Sequence, residues 1–160
     1  MIGPIDNNIF ELKKLWSTSD SNLYATECEI SAFEMQNGLH IPDDLSLFFK
    51  TINGTHREYN DSFFQFYSLS EFKSIKNEFG DWKASVQDYS KLIQKFINSE
   101  TCFVFANYQF FMFTYCIQLY KNDSNLNEIY ILCGDQYKMI ASSFTEFIDL
   151  YISDSEKLLW

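Results

Sequence analysis

The adjacent carboxylates Asp43 and Asp44 come nearest, in type and spacing, to an acid–base pair in this chain. Neighbouring residues on a helix point about 100° apart, so the two side chains do not converge on one substrate. They follow Pro42, which suits a first helical position, and negative charge is favourable at the positive end of the helix dipole. We therefore interpret the pair as part of a helix start.

Histidine and cysteine, the usual metal ligands and nucleophiles, are few and scattered. The histidines are His40 and His56, and the cysteines are Cys28, Cys102, Cys116 and Cys133, without a C-x-x-C pair. A zinc site would have to assemble four ligands with no local pair. We therefore expect no metal, and we expect free thiols in a reducing cytoplasm. A disulfide between neighbouring strands is the less favoured alternative.

Sequence motifs of the common enzyme classes do not occur either. The chain has no G-x-S-x-G motif, no phosphate-binding glycine loop and no dinucleotide fingerprint. A catalytic triad can assemble from distant residues, but no feature of this sequence favours one. We expect no catalytic residue, no cofactor and no enzymatic activity.

The net charge of −10, from 22 acidic and 12 basic residues, restricts the possible partners. Nucleic-acid binding depends on a basic footprint that displaces counterions from phosphates, and an anionic membrane surface also attracts basic segments. Both are therefore disfavoured. The charge can serve solubility alone, or it can steer a basic protein partner towards the chain. Charge by itself does not decide between these two roles.

Length and composition are typical of one folded domain. The 160 residues are 46% hydrophobic and 19% aromatic, which is enough to build a core without disulfide or metal. No apolar run approaches the roughly 20 residues of a membrane span, and the first residues lack the pattern of a secretory signal. We expect a cytoplasmic protein.

Several aromatic residues fall at or near predicted loops, where large rings have no automatic place in a core. Such rings are favoured anchors in protein interfaces, and here carboxylates stand beside them. An aromatic centre with an acidic rim would suit a basic partner. The alternative is that the loops fold back and bury their own rings. The candidate partner-binding residues are Glu58, Tyr59, Asp61, Glu78, Asp81, Trp82, Asp88, Tyr108, Phe110 and Phe111.

The elements that must position these residues follow from periodicity. Apolar residues at helical spacing predict helices near 7–16, 27–37, 43–52, 69–79, 82–98 and from 144 onwards. Capping boxes are predicted at Thr26 with Glu29, Ser68 with Glu71, and Ser143 with Glu146. Period-two alternation predicts strands near 63–67, 102–106, 112–120, 129–133 and 138–141. Strands grouped between helices indicate an α+β fold with a mainly antiparallel sheet.

A family resemblance is carried by FE at 33–34, LHIPDDL at 39–45, FFKTING at 48–54 and FYSLSEF at 66–72. FVFANY at 103–108, IYIL at 129–132 and ASSFTEFI at 141–148 follow. In this order the segments resemble the SUKH superfamily, which includes fungal regulators of cell-wall glucan synthesis and bacterial immunity proteins of polymorphic toxin systems. The chain departs from the family pattern at 53–55, where many relatives have paired glycines, and in a bulky loop after Ala106.

The resemblance implies a curved sheet with helices packed on one face, in a single domain over residues 1–160 with its core at about 26–153. It also implies a non-enzymatic protein-binding module. In a bacterium this would be an immunity protein that holds a cognate toxin inactive in the cytoplasm, with a basic toxin domain as the partner. The alternative is a regulatory scaffold resembling the fungal regulators.

Overall fold

The computed structural model describes residues 4–16, 24–80 and 89–160, which form an α+β fold as predicted. The helices are α1 (Pro4–Trp16), α2 (Glu27–Asn37), α3 (Asp43–Thr51), α4 (Ile75–Phe79), α5 (Ser90–Lys95) and α6 (Phe144–Ile152). The strands are β1 (Phe64–Phe66), β2 (Lys73–Ser74), β3 (Cys102–Tyr108), β4 (Phe113–Gln118), β5 (Ile129–Cys133) and β6 (Gln136–Ala141). A short 3-10 helix follows at Glu156–Leu158.

The sheet is antiparallel, with the strand order β1-β3-β4-β5-β6. β1 and β2 pair with different parts of β3, because Phe64 lies opposite Tyr108 and Ser74 lies opposite Phe103. Together they form one edge of the sheet. β6 forms the other edge, so the sheet is open on that side among the described residues.

Alternate residues of the central strands belong to two different cores. Phe103 and Phe105 of β3 lie in the first core, with residues of α1, α2, α3 and α6. Cys102 and Val104 lie in the second core, with residues of α4 and α5. Successive side chains of a strand point to opposite faces, so the two cores lie on opposite sides of the sheet. The predicted helical face is that of the first core, and α4 and α5 add a smaller layer on the other face.

Helix ends follow the predicted caps in part. Thr26 and Glu29 form the complete capping box at the start of α2, because each side chain accepts a hydrogen bond from the other residue's backbone N–H (3.2 and 2.7 Å). Ser143 Oγ accepts from Glu146 N–H, but the Glu146 carboxylate accepts from Ser142 N–H instead. The box predicted at Ser68 and Glu71 caps no helix, since these two residues hydrogen-bond within a turn.

The helix predicted over 69–79 forms only at its end, as α4. Lys73 and Ser74 pair with β3 as β2, and Ser74 then caps α4 by accepting from Asn77 N–H at 3.2 Å. Helix propensity is a weak preference, and strand pairing overrides it here. The helix predicted over 82–98 is α5 at Ser90–Lys95, and residues 82–88 lie outside the described residues.

Asp43 and Asp44 open α3 as predicted, but Asp44 has a second role. It is buried, and its Oδ2 accepts hydrogen bonds from Thr145 N–H at 2.8 Å and Thr145 Oγ1 at 2.9 Å. Thr145 is in the first turn of α6. The carboxylate therefore joins the starts of two helices that are far apart in sequence.

Candidate partner-binding surface

Two loops lie side by side where β1 meets the end of β3. They are the 55–63 loop before β1 and the 109–112 turn between β3 and β4, and we call them the paired loops. Gln109 N–H donates to Phe63 O at 3.0 Å, and the ring centroids of Tyr59 and Phe110 are 4.6 Å apart. The paired loops therefore form one continuous surface.

The backbone of the paired loops is strained. Eight non-glycine residues among the described residues have positive φ, and six of them lie in the paired loops: His56, Arg57, Phe63, Gln109, Phe110 and Phe111. For bulky residues this conformation is unfavourable by about 1–3 kcal/mol each, and it persists only where surrounding contacts hold it. Strain of this kind clusters at binding and switch regions, so it marks the paired loops as a candidate site.

Side-chain and backbone hydrogen bonds hold the 55–63 loop on several sides. Tyr59 OH donates to Oδ1 of the buried Asn107 at 2.5 Å, and Asn60 Nδ2 donates to Tyr151 OH at 2.8 Å. Thr55 N–H donates to Phe66 O at 3.0 Å. Burial raises the pKa of Tyr59, although hydrogen bonds at Phe110 and Asn107 oppose the shift. Tyr59 is therefore neutral, and its hydrogen bond to Asn107 holds the loop against β3.

Three large apolar side chains of the paired loops face solvent. Phe110 is 70% exposed, Phe63 is 56% exposed and Met112 is 42% exposed. Phe110 was predicted at this surface, whereas Phe63 and Met112 were predicted to lie in strands and not at a binding surface. The alternation of side chains along a strand was the signal that could have found Phe63. Phe64 and Phe66 face the first core, so Phe63, next to Phe64, is expected to point away from it.

Glu58 and Asp61 supply negative charge beside these side chains. Both are exposed, and within the described part of the chain neither forms an ion pair. The neighbouring cation, Arg57, is engaged with Glu71 (Nε to Oε1, 3.2 Å). The two predicted rim carboxylates therefore lie next to exposed apolar groups with their charge available.

Tyr108 and Phe111 are half-buried. For these two rings the structure has the alternative that the sequence left open, in which the loops fold back and bury their own aromatic residues. The Tyr108 ring packs against the first core, with its centroid 5.0 Å from that of Phe64. The Phe111 ring packs against the second core, and its carbonyl accepts from Tyr89 OH at 2.9 Å. Of the remaining predicted residues, Asp81, Trp82 and Asp88 lie outside the described residues.

Glu78 does not contribute a free charge to the rim. It is half-buried on α4, and Tyr67 OH donates to its Oε1 at 2.9 Å. Burial raises the pKa of the Glu78 carboxyl, although the Tyr67 hydrogen bond and the charge of Lys73 oppose the shift. Burial also raises the pKa of Tyr67. Glu78 is therefore a structural carboxyl of the second core.

We expect Glu78→Gln to reduce the pH dependence of stability. A folded-state pKa above the unfolded value of 4.5 gives a contribution that is complete below that value and lost as pH rises through the folded pKa. As pH rises from 4.5 through the folded-state pKa, the parent should therefore lose stability relative to Glu78→Gln. Urea denaturation between about pH 4 and pH 8 measures this loss. The exposed Glu58→Gln is the matched control. Parallel profiles for parent and Glu78→Gln would contradict the assignment.

The cysteines carry free thiols and lie mostly in the sheet. Cys102 and Cys116 are buried and Cys133 is half-buried, whereas Cys28 is exposed on α2. Burial raises the pKa of the Cys102 thiol, and the neighbouring Cys116 thiol adds to this effect. Over residues 4–16, 24–80 and 89–160, no three potential ligands among histidine, cysteine and carboxylate side chains are grouped as a metal site.

Comparison with known protein families gives a match over most of the chain. A family model described as the SMI1 / KNR4 family (SUKH-1) matches residues 24–150 of the chain. The matched range begins before α2 and ends within α6, and it includes both paired loops. No curated protein gives a significant match. In the described part of the chain, no helix has the length and apolar character needed to cross a bilayer.

Proposed function

The chain belongs to the SMI1 / KNR4 family (SUKH-1), and on that premise we propose that it is a non-enzymatic protein-binding module that occludes a cognate toxin. Family membership is compatible with an immunity role and with a regulatory one. In the proposed role the chain binds a basic toxin domain in the cytoplasm and blocks it without changing it covalently. The paired loops are the proposed contact surface.

One observation carries this proposal: exposed apolar groups and available carboxylates lie together on a strained backbone. Phe110 and Phe63 offer the kind of ring that dominates binding energy when a partner buries it. Hydrogen bonds to Asn107 and Tyr151 already hold the loop. A surface that is ordered before binding loses less conformational entropy in the complex, so its contacts contribute more to affinity.

The charges and the apolar groups have separate kinetic roles in the proposal. The net charge of −10, with Glu58 and Asp61 at the surface, attracts a basic domain over long distances and raises the association rate. The apolar contacts form only in the docked complex, so they mainly slow dissociation.

We expect charge reversal at the paired loops to slow association with the cognate toxin domain, which we expect to be encoded beside the gene. Glu58→Lys and Asp61→Lys should each lower the association rate and its dependence on salt, measured by surface plasmon resonance over a salt series. Phe110→Ala should instead raise the dissociation rate about ten-fold or more, because an anchor is truncated.

Two matched variants test whether the effects are specific to the paired loops or follow from the same change at any exposed residue. Asp123→Lys makes the same charge change at an exposed residue in the turn after β4, away from the paired loops, and Phe10→Ala truncates an exposed ring on α1. Both should bind and protect cells like the parent. If Asp61→Lys and Phe110→Ala also behave like the parent while folded, the paired loops are not the contact surface. If the neighbouring toxin does not bind at all, the regulatory role is favoured instead.

A further inference from the structure

The outer edge of β6 presents backbone groups that point away from the sheet. The β5–β6 hairpin has a two-residue loop, since Cys133 pairs with Gln136, and Gly134 has φ 58°. In such a hairpin the two residues that close the loop, here Cys133 and Gln136, hydrogen-bond to each other. Non-hydrogen-bonded and hydrogen-bonded pairs then alternate along the two strands. Lys138 therefore bonds inward to Ile131, whereas the N–H and C=O groups of Tyr137 and Met139 point outward.

These outward groups have no partner within residues 4–16, 24–80 and 89–160. No strand pairs with the outer side of β6, and no hydrogen bond of the described residues reaches the backbone of Tyr137 or Met139. Residues 136–139 are all exposed. A row of alternating donors and acceptors is satisfied best by another extended backbone, so the edge is shaped for strand addition.

The side chains along the edge differ between the two faces. Tyr137 and Met139 lie on the face of the second core, where the Tyr137 ring centroid is 4.6 Å from that of Phe96. Lys138 lies on the opposite face, with its Nζ 4.9 Å from the Trp160 ring centroid. In the described residues no carboxylate pairs with Lys138. An added strand would thus meet apolar, basic and apolar side chains in succession.

We propose that β6 binds an extended segment of another protein as an added antiparallel strand. The segment has apolar residues opposite Tyr137 and Met139, and an acidic residue opposite Lys138. Directly opposed residues share a face of the sheet, so this pattern matches each side chain with a compatible one. A second copy of the chain is a poorer occupant, because two chains of net charge −10 repel each other. The edge lies across the sheet from β1, so the inference does not rest on the proposed toxin surface.

The test uses a short synthetic peptide with a valine-glutamate-valine centre, threonine on each side and lysine at both ends. Titration into the folded full-length chain should give saturable binding by fluorescence anisotropy. The largest amide shifts in nuclear magnetic resonance spectra should be those of Tyr137 and Met139. An otherwise identical peptide that is N-methylated at the amides facing β6 keeps its side chains but loses its donors. It should bind at least about ten-fold more weakly.

Two variants of the protein separate backbone from side-chain effects. Met139→Pro removes an outward N–H and leaves the inward bonds of Lys138 in place, as an edge strand tolerates. It should weaken binding about as much as N-methylation does. Met139→Thr keeps the N–H and should weaken binding less. No saturable binding, equal binding of the methylated peptide, or shifts remote from β6 would overturn the proposal. A homodimer that Met139→Pro abolishes would overturn it too, by assigning the edge to a second copy.

Discussion

Replacing Phe48 by alanine should lower the free energy of unfolding by about 3–5 kcal/mol. Phe48 is 1% exposed, and its ring contacts rings that come from four separate elements. The centroid distances are 6.3 Å to Trp16, 5.8 Å to Phe49, 6.0 Å to Phe66 and 5.2 Å to Phe144. Because α1, α3, β1 and α6 are each held by other contacts, they are poorly able to close the cavity that the truncation leaves.

Urea denaturation followed by circular dichroism measures this loss. Phe10→Ala is the matched control, because Phe10 is 60% exposed on α1 and its truncation should change stability by less than about 0.5 kcal/mol. Phe48→Leu keeps most of the volume and should cost less than Phe48→Ala. A loss below about 1 kcal/mol for Phe48→Ala would show that the first core does not depend on this ring.

The second large effect is expected at Gly54, where alanine should cost about 3 kcal/mol. Gly54 has φ 85°, which an L side chain rarely adopts. An added Cβ would also lie 2.6 Å from Phe66 O and 2.7 Å from Ser68 N. Both are backbone atoms that cannot move aside without shifting β1 or the turn after it. Since Thr55 N–H donates to Phe66 O, the shift would also disturb the paired loops.

Gly38 provides the control for this substitution. Its φ is 63°, but nothing lies within 4 Å of an added Cβ. Gly38→Ala therefore tests the backbone conformation alone and should cost about 1 kcal/mol. Thermal and urea unfolding of the two variants should separate them clearly. Equal losses of stability would show that the close contacts at Gly54 add nothing to the free-energy cost of placing alanine at a positive φ.

Position 53–55, where the chain departs from the SUKH pattern, is explained by the same geometry. Asn53 adopts φ 60°, and its side-chain Oδ1 accepts from Leu69 N–H at 2.8 Å. Asparagine tolerates the left-handed region better than most residues, because its short polar side chain can hydrogen-bond locally. Glycine is required only at Gly54, where the backbone of β1 passes close by. One glycine thus suffices in this segment.

Local signals in the sequence determined most of the secondary structure. The capping box at Thr26 and the glycine at 38 bound α2, and α3 begins at the predicted Asp43. The change from helical to period-two spacing placed β3, β4 and β5 within a few residues. These features depend on contacts between residues close in sequence, which is why the sequence alone was sufficient to predict them.

The tertiary structure decided what the sequence left open, because those outcomes depend on partners far along the chain. Phe110 and Phe111 are adjacent and chemically identical, yet Phe110 is exposed and Phe111 packs against the second core. Asp44 bonds Thr145, and Glu78 bonds Tyr67 instead of joining an acidic surface. The paired loops lie side by side because β1 pairs with β3, and Gln109 N–H donates to Phe63 O just beyond the paired strands. Sequence spacing encodes such long-range pairing only weakly, so the exposed surface and the open edge of β6 emerged only from the folded chain.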